Sequence, residues 1–168
     1  MPTFVCVLPK ALSLHTYQEN LLLLTGPLGS LVFETKGSYQ VNQRTIVWSN
    51  PQDASFFQKM CDQVRYGNRL EFSLVGTGFK AEKTVDPQSK KAGTLVKLGY
   101  SHDFFVLEGS TWMCALDDPT VFSLYGIDSE TLGGLGANLR DLRKPDPYKA
   151  KGVRIKNQEY TLREGKKK

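Results

Sequence analysis

The residues able to do chemistry are few, and their spacing does not suit catalysis. His15 and His102 are the only histidines, and neither has a cysteine or a second histidine at metal-ligand spacing. Cys6, Cys61 and Cys114 are widely separated and odd in number, so they form neither a CxxC pair nor an obvious disulfide framework. Each lies in an apolar stretch, where a free cysteine behaves as a small core residue, and a reducing compartment fits. Ser101 precedes His102, but neighbours on a strand point to opposite faces and make no ready nucleophile–base pair. Asp117 and Asp118 before Pro119 read as a turn rather than a carboxylate dyad. No catalytic residue, metal site or cofactor is expected.

One motif invites a nucleotide reading. The run GTGFKA, Gly76 to Ala81, satisfies G-x-G-x-x-A and follows a good strand. A dinucleotide fold would next open a helix whose first amides hold the pyrophosphate. Here the chain continues EKTVDPQSKKAG, with Pro87 and no apolar helical stripe. A glycine-kinked strand is the better expectation. A nucleotide-dependent enzyme using this turn remains the alternative.

Charge is concentrated at one end. Arg140 to Lys168 carries eleven Lys and Arg against four Asp and Glu, a balance of +7, while the preceding residues balance at −2. A near-neutral body with one basic region suggests a polyanion partner met by a single surface. Arg140 and Arg143 fall off the leucine stripe of a helix, in its last turn, where cations complement the dipole. Pro145 and Pro147 are expected to hold the next segment extended. Tyr148 offers a flat face for stacking, and Lys144, Lys149, Lys151 and Arg154 offer charge for phosphates. Gly152 would let backbone amides approach a phosphate closely. Prolines exclude the amphipathic helix that a membrane-surface element needs, and the longest apolar run, Leu21 to Leu24, is strand-sized. The start, MPTFVCVLPKAL, has neither a signal nor a transit pattern, so a soluble protein is expected. The competing reading is an arm packed on its own domain with its charges outward, and Lys166 to Lys168 adding only diffuse charge.

The elements that must carry these residues read as strands with two helices. Alternating or apolar runs occupy 4–8, 12–16, 21–25, 30–35 and 45–49, with a polar turn at Gln18–Asn20. Asn50 as N-cap, Pro51 at the first helical position and Asp53 in the first turn open a helix. Its apolar positions are Ala54, Phe57, Met60, Cys61 and Val64, and Gly67 closes it. Strands follow at 69–81, 94–100, 110–116 and 120–126, with a polar segment over 82–93. A second helix starts at Asp128 or Ser129, with Leu132, Leu135, Leu139 and Leu142 on one stripe. Gly133, Gly134 and Gly136 suggest that it packs very close to its sheet, and Pro145 ends it. The repeated order predicts an α+β fold of two tandem similar domains, 1–79 and 80–168. Each would be an antiparallel sheet with one packed helix, the second followed by an extended basic arm.

The run GIDSETLGGLGANLRDLRKPDPYKAKGVR, 126–154, closely resembles the signature of the large-subunit ribosomal protein L-six family. LGYSH (98–102), GTGFKA (76–81) and TGPLGSL (25–31) match further family motifs in order, so the resemblance covers nearly the whole chain. It implies two similar α+β domains without enzymatic activity. It also implies that the second domain binds large-subunit rRNA near the sarcin–ricin stem-loop, beside neighbouring ribosomal proteins and the landing site of translational GTPases. Matching positions imply RNA contacts at Arg140, Arg143, Tyr148, Lys149, Lys151, Gly152 and Arg154, with Tyr100, Ser101 and His102 as a further motif. Lys144 joins this basic set. Several positions depart from the pattern. Leu28 replaces a lysine, Lys144 a proline or arginine, and Ala150 a glycine; Phe104 follows Asp103 where the family has proline and valine after the histidine. Residues 85–92 are longer than the usual connection. These departures and the modest charge favour an organellar, mitochondrial ribosome, with a plastid or the bacterial cytoplasm as alternatives. A free-standing RNA-binding regulator is the third functional class.

Overall fold

The structure is a computed structural model and describes residues 4–18, 20–86 and 90–165. Glu19, Pro87 and Lys166 to Lys168, which enter the expectations above, lie outside the described residues. The chain divides into two compact units, Met1–Asn68 and Arg69–Lys168. This division falls earlier than the boundary expected after residue 79. The strand that opens the second unit hydrogen-bonds to the last strand of the chain, which ties 69–79 to the C-terminal half.

In the first unit, β1 (Phe4–Val7), β5 (Tyr39–Asn42) and β6 (Thr45–Trp48) form one antiparallel sheet in the order β1-β6-β5. A meander of β2 (Ser13–Gln18), β3 (Leu21–Gly26) and β4 (Gly29–Glu34) forms another. Helix α1 (Pro51–Tyr66) starts where Asn50 accepts from the Gln52 N–H at 3.1 Å. Its expected stripe, Ala54 to Val64, is buried against β1, β3, β4 and β6. Trp48 packs between Phe33 and Phe57, with ring centroids 5.8 and 5.3 Å away. Asp53 does more than complement the helix dipole. Its carboxylate is buried and accepts from the Lys36 and Gly37 N–H groups at 3.3 and 2.9 Å, fixing the loop after β4.

The second unit holds β7 (Asn68–Val75), β8 (Lys80–Val85), β9 (Ala92–Lys97), β10 (Phe104–Leu107), β11 (Trp112–Asp118), β12 (Val121–Gly126), α2 (Ser129–Leu142) and β13 (Gly152–Ile155). Its sheets run β10-β9-β8 and β11-β12-β7-β13, all described pairs antiparallel. The polar 82–93 segment is therefore largely a hairpin, because β8 extends to Val85 and β9 begins at Ala92. GTGFKA forms the turn between β7 and β8 and leads into a strand, so no helix offers its amides to a pyrophosphate. Asp128 caps α2. Its carboxyl is held below the usual range by the Thr131 hydroxyl, with the Glu130 and Thr131 N–H groups adding to the effect.

Leu132 and Leu139 of α2 are buried, while Leu135 and Leu142 pack at the margin. Of its three glycines only Gly136 meets neighbours: a Cβ there would sit 3.2 Å from Leu70 and 3.4 Å from Phe72. Gly133 and Gly134 face open space and take no part in close packing, contrary to expectation. The helix rests on β12 and β13.

Replacing Asp53 by alanine removes the acceptor of two part-buried backbone N–H groups, so a loss of about 1 kcal/mol is expected in urea unfolding. Asp53→Asn keeps an acceptor oxygen and should lose less. Equal stability of the alanine variant and the parent would show that Asp53 does not hold the loop.

Candidate nucleic-acid interface

The basic region begins where α2 ends. Arg143 leaves the helix in an extended conformation, and its guanidinium turns inward. Nη1 donates to the Leu98 carbonyl, and the plane lies 4.8 Å from the Phe79 ring centroid and 5.0 Å from that of Tyr100. Tyr100 returns the contact by donating its hydroxyl to the Leu142 carbonyl at 3.2 Å. The 98–104 turn is thus knitted to the end of α2. On that turn the Tyr100 and His102 rings are nearly parallel, 18° apart with centroids 6.0 Å apart, and Phe104 meets His102 edge-on at 4.9 Å. Tyr100, Ser101 and His102 are all exposed.

The segment after the helix is not the extended arm expected from its prolines. Asp146 closes it into a compact loop. Its carboxylate accepts from the N–H groups of Tyr148 and Lys149, both at 3.2 Å. Its own N–H donates to the Lys151 carbonyl at 2.9 Å, and its carbonyl accepts from the Ala150 N–H at 2.8 Å. Closure needs a left-handed residue, and Ala150 takes that role at φ 57° while buried. An Asp-Pro step favours turn initiation, so the signal was present in the sequence.

This loop sorts the cations. Lys149 and Lys151 are exposed and, among the described residues, make no ion pair; Tyr148 between them and Asp146 is 55% exposed. Lys144 is exposed, with Asp141 at 3.8 Å, and Arg140 reaches the same carboxylate at 3.5 Å. Arg154 turns back: Nε donates to the Ala150 carbonyl at 2.9 Å, and the guanidinium lies over the Tyr160 ring.

Gly152 likewise serves the fold and not a phosphate approach. It is buried at φ 146°, and a Cβ there would lie 2.7 Å from the Lys144 carbonyl oxygen and 2.8 Å from that of Arg143. The structure therefore brings Lys144, Tyr148, Lys149 and Lys151 together on one exposed stretch. Arg143, Gly152 and Arg154 are anchors behind it. Sequence reasoning missed the anchoring by Phe79 and Asp146.

Burial pushes the Cys61 thiol up to about 12 and also raises Cys114 and Cys6. At the β3–β4 turn, Leu28 is exposed and offers no charge.

The chain is similar to curated bacterial proteins named large ribosomal subunit protein uL6. That of Persephonella marina is 28% identical over 172 residues, covering 95% of this chain and 92% of the relative. That of Fusobacterium nucleatum is 28% identical over 163 residues, 89% of each. A Bacillus cereus protein is 26% identical over 172 residues, covering 95% and 93%. No protein-family model matches the chain.

Gly152→Ala must displace backbone atoms and adopt a disfavoured φ, so a loss of about 3 kcal/mol is expected. Denaturant midpoints test this. A loss under about 0.5 kcal/mol would mean that the backbone crossing at Gly152 tolerates a side chain.

Proposed function

The chain belongs to the uL6 family of large-ribosomal-subunit proteins, a structural rather than catalytic family, and we propose that its second unit grips rRNA near the sarcin–ricin stem-loop. The protein is a structural constituent of the large subunit. The proposed surface combines Lys144, Tyr148, Lys149 and Lys151 with Arg140 and the Tyr100–Ser101–His102 turn, beside the landing site of translational GTPases.

One observation carries this reading: exposed lysines stand on a loop already closed by its own hydrogen bonds, within a unit of net charge +4. The first unit is nearly neutral at +1. Ammonium groups neutralise phosphates and release counterions, while Tyr148 and the Tyr100–His102 pair present faces to unstacked bases. The compartment proposed is an organellar, mitochondrial one. It is supported by Leu28, Ala150, Lys144 and Phe104 at positions where the family pattern differs, and by a modest total charge of +5.

Gradient fractions from isolated mitochondria and from cytosol, quantified by mass spectrometry, should place the protein with mitochondrial large subunits in stoichiometric amount. Sedimentation only as a free protein at low salt would sink the reading. Lys149→Ala and Lys151→Ala should each shallow the log–log salt dependence of rRNA binding by about 0.7 to 0.9. Arg143→Lys keeps the charge but loses the stacked planar contact, so it should lower stability and leave that slope intact.

A further inference from the structure

Beyond β13 the chain doubles back over the loop it has just left. The Ile155 N–H donates to the Tyr160 hydroxyl at 2.9 Å, and that hydroxyl donates to Gln158 Oε1 at 3.1 Å. The Tyr160 ring lies 5.3 Å from the Arg154 guanidinium, whose Nε holds the Ala150 carbonyl. Further along, the Arg163 N–H donates to the Pro147 carbonyl at 2.8 Å. Residues 154–163 therefore hold the loop at Pro147 and again at Ala150. Between these two points stand Tyr148 and Lys149.

We propose that residues 155–163 are a latch that fixes the shape of the rRNA-docking loop, with Tyr160 as its positioning residue. Arg154 is the link by which Tyr160 reaches the loop, and it does not itself touch phosphate. This rests on the reading that the loop meets rRNA. The physical case starts at Ala150, whose left-handed conformation is one that L-residues avoid. A loop built around such a residue needs an outside hold to keep one shape, and the carbonyl of that residue is the one Arg154 grips. A loop held in its bound shape loses less entropy on association, so the latch raises affinity without adding a contact. Arg154 suits the link because a guanidinium can donate in its plane while its face lies on an aromatic ring.

A latch and a direct contact differ in salt dependence. Losing a phosphate contact shallows the log–log slope, whereas loosening a loop weakens binding equally at every salt concentration. The experiment compares the full-length parent, Tyr160→Ala and Tyr160→Phe. Binding to a transcribed rRNA fragment bearing the sarcin–ricin stem-loop is measured across a KCl series. Amide exchange at Asp146 and Ala150, whose N–H groups close the loop, is measured in the free proteins.

Tyr160→Ala should speed exchange at both amides roughly tenfold and weaken binding roughly fivefold, with the parental slope. Tyr160→Phe keeps the ring and should fall between the two, and it carries the comparison if the alanine variant does not fold. Unchanged exchange would overturn the latch. So would a slope shallower by about one contact, which would put Arg154 or Tyr160 on the RNA. If the parent itself fails to bind the fragment, the rRNA reading falls, and the exchange rates alone decide the latch.

Discussion

The second unit is organised by a backbone crossing at Gly152. There the chain passes so close to the exit of α2 that a Cβ would lie within 3 Å of Arg143, Lys144 and Pro145 main-chain atoms. The Val153 N–H then takes the Arg143 carbonyl at 2.9 Å. The crossing has three consequences. Strand β13 is set on β7, with Gly152 opposite Val75 and Ile155 opposite Phe72. Helix α2 gains β13 as a surface to pack on. And the residues between Arg143 and Gly152 must return to their starting point, which makes them a closed loop. The candidate interface is a product of this crossing.

Residue type helps to sort the cations around the loop. Arg143 and Arg154 each spend a face on aromatic rings and a donor on a backbone carbonyl. Lys144, Lys149 and Lys151 stay exposed. A guanidinium is planar and weakly hydrated, so it stacks and partly buries readily; an ammonium is compact and strongly hydrated and keeps to water. One basic stretch thus supplies both inward anchors and exposed charge. A count of charge along the sequence cannot separate the two.

The helices were legible because their signals are local. Asn50–Pro51 and Asp128 mark the starts, and buried apolar residues at helical spacing mark the faces. Strand β8 was hidden, because 69–81 read as one strand and 82–93 as a polar segment, and strands β5, β10 and β13 were missed. Each of the last three has only four residues, and β13 depends on a partner far upstream that no local pattern reveals. The same distance hid the division before Arg69, since β7 looks like the close of one domain until β13 is seen beside it. Around the candidate interface the basic residues are evident in the sequence, but which of them turn inward is not. In a charge count Asp146 is only an offsetting carboxylate, although the Asp-Pro step already marks a turn.

The groups left at the surface constrain the recognition it can perform. On the proposed reading the exposed lysines act chiefly as phosphate charges, and the faces of Tyr148, Tyr100 and His102 accept any base that can be stacked. Discrimination on that reading rests chiefly on geometry: which folded RNA presents phosphates and an unstacked base at the spacing the loop and the 98–104 turn provide. Such selectivity is only as sharp as the protein surface is rigid. That explains why so many hydrogen bonds near this surface run inward, from Asp146, Arg143, Arg154 and Tyr160 to backbone groups. They hold the spacing of the exposed lysines and rings on which the proposed reading depends.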